Sequence, residues 1–220
     1  MKLRSVTIAT LSDDADGICA SQNPSGAGNL TINGALATGG VATLAAAQKV
    51  TITSAGNDTA ITFTITGTDA DGVTISEAVT GANASTAKST KYFKTITQVA
   101  VSGDSSAVTV GPVGADGAVS ATLECAVNEY GDDYKYLAST NITGSTTFAV
   151  ETAIENKDFV FSSEGIQTQG SWIADTTHTA KTADFQSLLL LPAQAVRLKL
   201  SSWTSGGATL RILERTPTDV

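Results

Sequence analysis

The chain has one histidine, His178, in the stretch Asp175-Thr176-Thr177-His178-Thr179. Acyl transfer of the serine type needs an imidazole held between a nucleophile and an orienting carboxylate. No Gly-x-Ser-x-Gly elbow accompanies this histidine. The sequence therefore reads His178 as a solvated residue of a polar loop. Two acidic turns, Asp13-Asp14-Ala15-Asp16-Gly17 and Asp69-Ala70-Asp71-Gly72, open like a calcium-binding loop. Both lack its third ligand position and its bidentate glutamate, and calcium takes six to eight oxygens. They read as turns in which aspartate bonds its own backbone, so no metal is expected. Glu77, Glu124, Glu129, Glu151, Glu155 and Glu164 could supply the two carboxylates of a glycosidase. That chemistry needs a pair at fixed separation, and nothing in the sequence marks one. No phosphate loop, dinucleotide fingerprint or zinc spacing is present. The expectation is a protein without catalytic activity and without a cofactor.

Tyr130, Tyr134 and Tyr136 lie close together among acidic residues. Tyrosine is enriched at protein interfaces, so these three are candidates for partner contact. Lys2 and Arg4 make the N-terminal arm, Met1 to Thr10, locally basic. Such an arm could lie on an acidic neighbour or add a strand to an exposed sheet edge. Cys19 and Cys125 are far apart in sequence and do not form a disulfide framework; two reduced, partly buried thiols are expected.

The elements that must carry these residues are strands. Thr62-Phe63-Thr64-Ile65-Thr66 and Lys49-Val50-Thr51-Ile52-Thr53 alternate polar and apolar residues, as half-buried strands do. Val196, Leu198 and Leu200 face one way while Arg197 and Lys199 face the other. Threonine suits a solvent-facing strand position, because its branched Cβ fits the pleat and its hydroxyl meets water. Val41 to Lys49 reads as strand and turn, with a short helix as the alternative. Asp16-Gly17, Asp71-Gly72 and Asp116-Gly117 punctuate the pattern and predict tight hairpin turns. Short strands with frequent turns indicate an all-β fold of two antiparallel sandwich or jelly-roll-like domains. The texture becomes more aromatic after residue 126, which sets the predicted domains at 1–125 and 126–220.

Composition excludes several roles. The 220 residues carry 21 acidic and 13 basic side chains, a formal charge of -8, which disfavours nucleic acid as a partner. The longest apolar run, Leu188 to Leu191, is far shorter than the ~20 residues of a membrane helix, so no membrane partner is expected. No signal peptide is visible at the N-terminus.

One stretch is familiar. Ile52-Thr53-Ser54-Ala55-Gly56-Asn57-Asp58, Phe63-Thr64-Ile65-Thr66-Gly67-Thr68-Asp69-Ala70-Asp71-Gly72, Thr80-Gly81-Ala82-Asn83 and Ser89-Thr90-Lys91-Tyr92-Phe93-Lys94-Thr95-Ile96-Thr97 follow one another in that order. This order resembles a recurrent β-sandwich module of tailed-bacteriophage virion proteins, over roughly residues 28–113. Leu190-Leu191-Pro192-Ala193, Val196-Arg197-Leu198 and Trp203-Thr204-Ser205-Gly206 are similar to the closing strands of small jelly-roll domains in phage particles. The resemblance implies a structural component that decorates and stabilises a capsid. The implied partners are the major capsid protein and further copies of the chain, most simply as a trimer. The implied location is the outer capsid surface, after assembly in the host cytoplasm. The alternatives are a neck or tail component and, in a different class, a carbohydrate-binding adhesin module.

Overall fold

The structure, a computed structural model, describes residues 2–125, 137–153, 172–189, 193 and 195–214. Among these residues there are nineteen strands and two short 3-10 turns, and the sheets pair antiparallel, so the chain is all-β as expected. The residues divide into two compact units, Leu11–Ala118 and the combination of Met1–Thr10 with Val119–Val220.

The unit Leu11–Ala118 is built on two sheets. One has β5 (Val41–Gln48), β10 (Phe93–Val101), β7 (Thr62–Thr68) and β8 (Thr74–Thr80) side by side. Short β3 (Gly28–Asn29) pairs with β10, and β4 (Ala37–Thr38) pairs with β5. The other sheet orders β2 (Cys19–Gln22), β11 (Val108–Pro112), β6 (Val50–Thr53) and β9 (Thr86–Lys88). Val41 to Gln48 is therefore strand, not helix. The alternation seen in the sequence becomes the core: Phe63, Ile65, Ile75, Val79, Phe93, Ile96 and Val99 meet Ile18, Val50, Ile52, Val108 and Val110. At roughly 1.5–3 kcal/mol for each large side chain, this burial is the main stabilising term of the unit.

The Asp-Gly pairs do three different things. Asp71-Gly72 closes the β7–β8 hairpin, with Gly72 at φ 82° and the Asp69 carboxylate accepting from the N–H groups of Asp71 and Val73, each at 2.9 Å. Gly17 is not a hairpin residue. A side chain there would strike Asp14 and Leu36, and Gly34 packs directly against its backbone. Asp116 ends a 3-10 turn, Gly114–Asp116, with Gly117 beyond it at φ 78°. Local propensity marked the bends; tertiary packing decided what each bend is for.

The second unit starts at the beginning of the chain. β1 (Lys2–Ile8) pairs with β19 (Gly207–Glu214) at seven consecutive positions, from Lys2 opposite Glu214 to Ile8 opposite Ala208. β14 (Leu137–Thr143) flanks β19, and β17 (Phe185–Leu188) flanks β14. The remaining elements are β12 (Ala118–Val119), β13 (Leu123–Glu124), β15 (Thr146–Ala153), β16 (Ile173–Ala174) and β18 (Ala195–Trp203). β16, β15, β18 and β13 pair in that order. Ile8, Phe148, Val150, Val196, Leu198, Leu200, Leu210 and Ile212 are buried in this unit.

Two sequence expectations change here. The contacts divide the chain at 118/119 rather than 125/126, and residues 1–10 group with 119–220 rather than with 11–118, β1 being an outer strand of that unit's sheet. Nor are they a free basic arm. Ile8 is 1% exposed, and Arg4 is half-buried on the row that it shares with buried Ile212 and Ala138. Ile8→Ala should lower stability by roughly 2–5 kcal/mol, the usual cost of truncating a large buried aliphatic side chain. Urea unfolding followed by tryptophan fluorescence measures it, because both tryptophans lie in this unit. An unchanged midpoint would mean that β1 is not docked.

Candidate functional site

His178 is not a solvated loop residue. It is 0% exposed and ends the short 3-10 turn Thr176–His178. Asp175 caps that turn, its side chain accepting from the Thr177 N–H at 2.9 Å. The same oxygen, Oδ1, lies 2.8 Å from His178 Nδ1. His178 Nε2 lies 3.2 Å from Ser187 Oγ on β17. Asp175 and His178 are both buried, while Ser187 is half-buried. The three residues form a continuous Asp–His–Ser relay.

The chemistry of the partners sets the tautomer. An ionised carboxylate only accepts hydrogen bonds, so the Nδ1 proton points at Asp175. A neutral imidazole then has a bare Nε2, which accepts from the Ser187 hydroxyl. The hydroxyl has a second acceptor, the Leu188 carbonyl, also at 3.2 Å. Phe185 meets the imidazole edge-on at 4.8 Å between ring centroids, closing its apolar side.

Backbone contacts hold the relay in place. The Asp175 N–H donates to the Val150 carbonyl at 2.9 Å. Phe148 and Lys181 exchange two backbone hydrogen bonds of 2.9 Å, tying the turn to β15. The Asp184 carboxylate accepts from the Ile142 N–H at 2.7 Å and from Asn141 Nδ2 at 2.9 Å, pinning the start of β17 to β14. A cavity of about 320 Å³ lies elsewhere in this unit, lined by Thr7, Thr10, Asn141, Thr143, Gly206 and Thr209 among others; no relay residue lines it.

The other candidates have structural partners. Glu77 accepts from the N–H groups of Thr90 and Lys91 and from the Thr90 hydroxyl, at 2.8–2.9 Å, fixing the loop before β10. Glu151 is buried between Arg197 and Lys199, and the Trp172 ring lies 4.2 Å from the Arg197 guanidinium. Glu124 is exposed on β13. Glu129, Glu155, Glu164, Tyr130, Tyr134 and Tyr136 lie outside the described residues. So does the Lys2 side chain. On β1 the exposed large side chain is Leu3, at 63%. It begins a cross-strand row, Leu3–Leu213–Leu137–Leu188, that spans the sheet.

Among the described residues no group of three acidic, histidine or cysteine side chains could hold a metal ion. Asp13 Oδ1 accepts from the Gly114 N–H at 3.1 Å. Asp14 hydrogen-bonds with Asp16, which together with partial burial raises its carboxyl above the usual range. Cys19 and Cys125 are free and buried.

The chain matches no protein-family model, no curated protein and no solved structure.

Sequence reasoning considered Asp175 and His178 only as loop neighbours and passed over Ser187. The available signal was the three-residue spacing of Asp175 and His178, which an aspartate-capped 3-10 turn converts into a contact. Ser187 lies nine residues further on, in a strand, and nothing local marks it.

Two outcomes follow. His178→Ala should cost roughly 3–5 kcal/mol, because it removes a partner of the buried Asp175 carboxylate. Ser187→Ala should cost about 1 kcal/mol, the net worth of one hydrogen bond. Urea denaturation of both variants gives the ranking, and equal costs would contradict the buried relay. Burial also pushes the Cys19 thiol up to about 12 from 9.0. The unfolded thiol ionises first, so stability should fall as pH climbs from about 9 towards 12. Iodoacetamide at pH 8 should leave Cys19 unmodified in the folded protein and alkylate it in urea. Rapid alkylation of the folded chain would refute its burial.

Proposed function

We propose that this chain is a structural protein of a tailed-bacteriophage virion that binds the capsid shell as a decoration protein. One surface carries this reading, the outward face of β5, β10, β7 and β8. Thr43, Thr95, Thr68 and Thr74 lie in register across all four strands. Behind them come Gln98–Thr66–Ser76 and Ala100–Thr64–Ala78, then Thr62–Thr80. These residues are half-buried or exposed, and none of them is charged. Thr68 and Thr95 share a hydroxyl–hydroxyl bond of 2.7 Å, and Thr66 and Ser76 one of 3.2 Å, which stiffens the array.

The chain carries a charge of -8, so copies packed on one lattice repel one another. An uncharged sheet face is where contact costs least. The motif order of residues 28–113 supports the same reading. The partner on this account is the major capsid protein, with the chain as a trimer at threefold positions, since closed symmetric assembly is the norm for soluble oligomers. The leucine row and the segment with Tyr130, Tyr134 and Tyr136 are the candidate contacts between copies; Arg4 faces its own sheet's buried row and is a weaker one. A neck or tail role would use the same surface at a different vertex.

The test is binding of the purified protein to capsids that lack it, followed by sedimentation. Thr66→Lys with Ser76→Lys places two charges on the face without touching the core. We expect at least about a tenfold loss of binding, since each 1.4 kcal/mol is tenfold. Unchanged binding by a folded variant would remove this face from the contact, and no binding by the wild type would remove the shell reading.

A further inference from the structure

We propose that Ser187 is an activated nucleophile and that the Asp175–His178–Ser187 relay hydrolyses small esters. This inference is independent of the shell-binding role. It rests on three joined observations. The Nδ1–Asp175 contact of 2.8 Å and the Nε2–Ser187 contact of 3.2 Å place the imidazole between carboxylate and hydroxyl. Asp175 has its orientation fixed by the Thr177 N–H and by the backbone bond to Val150, so the imidazole cannot swing away. Burial is graded along the three residues: Asp175 and His178 are buried and Ser187 is half-buried.

β17 is the terminal strand of its sheet among the described residues. Ser187 therefore lies on a strand that has one partner, β14, among the described strands. Phe185 shares the strand face of Ser187 and is half-buried, whereas Leu188 belongs to the leucine row of the opposite face.

The step is as follows. Ser187 Oγ attacks the ester carbonyl carbon, and its proton passes to His178 Nε2. Asp175 holds the Nδ1 proton and offsets the imidazolium charge. The carbon–oxygen bond to the alcohol breaks, and the departing oxygen takes the proton from Nε2. Water, deprotonated by Nε2, then cleaves the Ser187 ester. A carboxylic acid leaves, and the serine regains its proton. Rotation about the Ser187 Cβ–Oγ bond lets the hydroxyl proton alternate between Nε2 and the Leu188 carbonyl, each 3.2 Å from Oγ, so the relay engages without backbone motion.

The test is a fluorophosphonate probe on the full chain at pH 8, read by intact mass and peptide mapping. One adduct on Ser187 is expected, lost in urea and in Ser187→Ala. 4-Nitrophenyl butyrate should be hydrolysed by the wild type and not by Ser187→Ala. Asp175→Asn, checked for folding by circular dichroism, should slow labelling by roughly 100-fold or more and change its pH profile. Should Asp175→Asn fail to fold, Ser187→Cys gives the second arm: its thiol should be alkylated by iodoacetamide well below the pH at which free cysteine reacts. No adduct on the folded wild type, an adduct that persists in Ser187→Ala, or a Ser187→Cys thiol no more reactive than free cysteine would overturn the proposal.

Discussion

Seven consecutive residue pairs join Lys2–Ile8 to Ala208–Glu214, and the second unit hangs on that ladder. It closes a loop of about two hundred residues, an entropic cost that only continuous pairing and burial offset. β19 is held by β1 on one side and by β14 on the other, and β14 in turn holds β17. β17 brings Ser187 to His178. The position of one hydroxyl is thus tied to pairing that crosses the whole sheet, along the row Arg4–Ile212–Ala138–Ser187.

The two units handle polar groups differently. The unit Leu11–Ala118 sets one array of hydroxyls in register on an outward sheet face, some bonded to one another, and buries a few others, such as Thr51 and Ser89, on backbone partners. The second unit takes charged groups inside and pairs them. Glu151 is bonded by Arg197 and Lys199, and Asp175 by His178 and the Thr177 N–H. Buried ionic groups of this kind add little net stability, but removing one partner is costly. They fix geometry more than they hold the fold together.

Much of the first unit was legible in sequence. The alternation in Thr62–Thr68 became β7 with Phe63 and Ile65 inward, and Val50–Thr53 became β6. Period-two patterning is local, so a single sequence carries it. The partnership of β1 with β19 was not legible, because pairing across the whole chain leaves no local trace; basic Lys2 and Arg4 suggested an arm instead. His178 was misread for a related reason. Its neighbours Thr176, Thr177 and Thr179 are polar, as loop residues are, yet the imidazole is buried because Asp175 and Ser187 supply both of its hydrogen bonds. Asp116-Gly117 and Asp16-Gly17 show the same limit: a glycine signal announces a bend or a close approach, and only packing distinguishes the two.

In the proposed role, this acidic, all-β chain seats its uncharged threonine face on a viral shell. A reconstruction of the virion at a resolution that traces strands addresses it most directly. A decoration protein of this kind should appear in many copies as trimers on the outer surface, at threefold and quasi-threefold positions, with Thr66 and Ser76 against the major capsid protein. A ring of copies confined to the tail vertex, or particles without the chain, would contradict it.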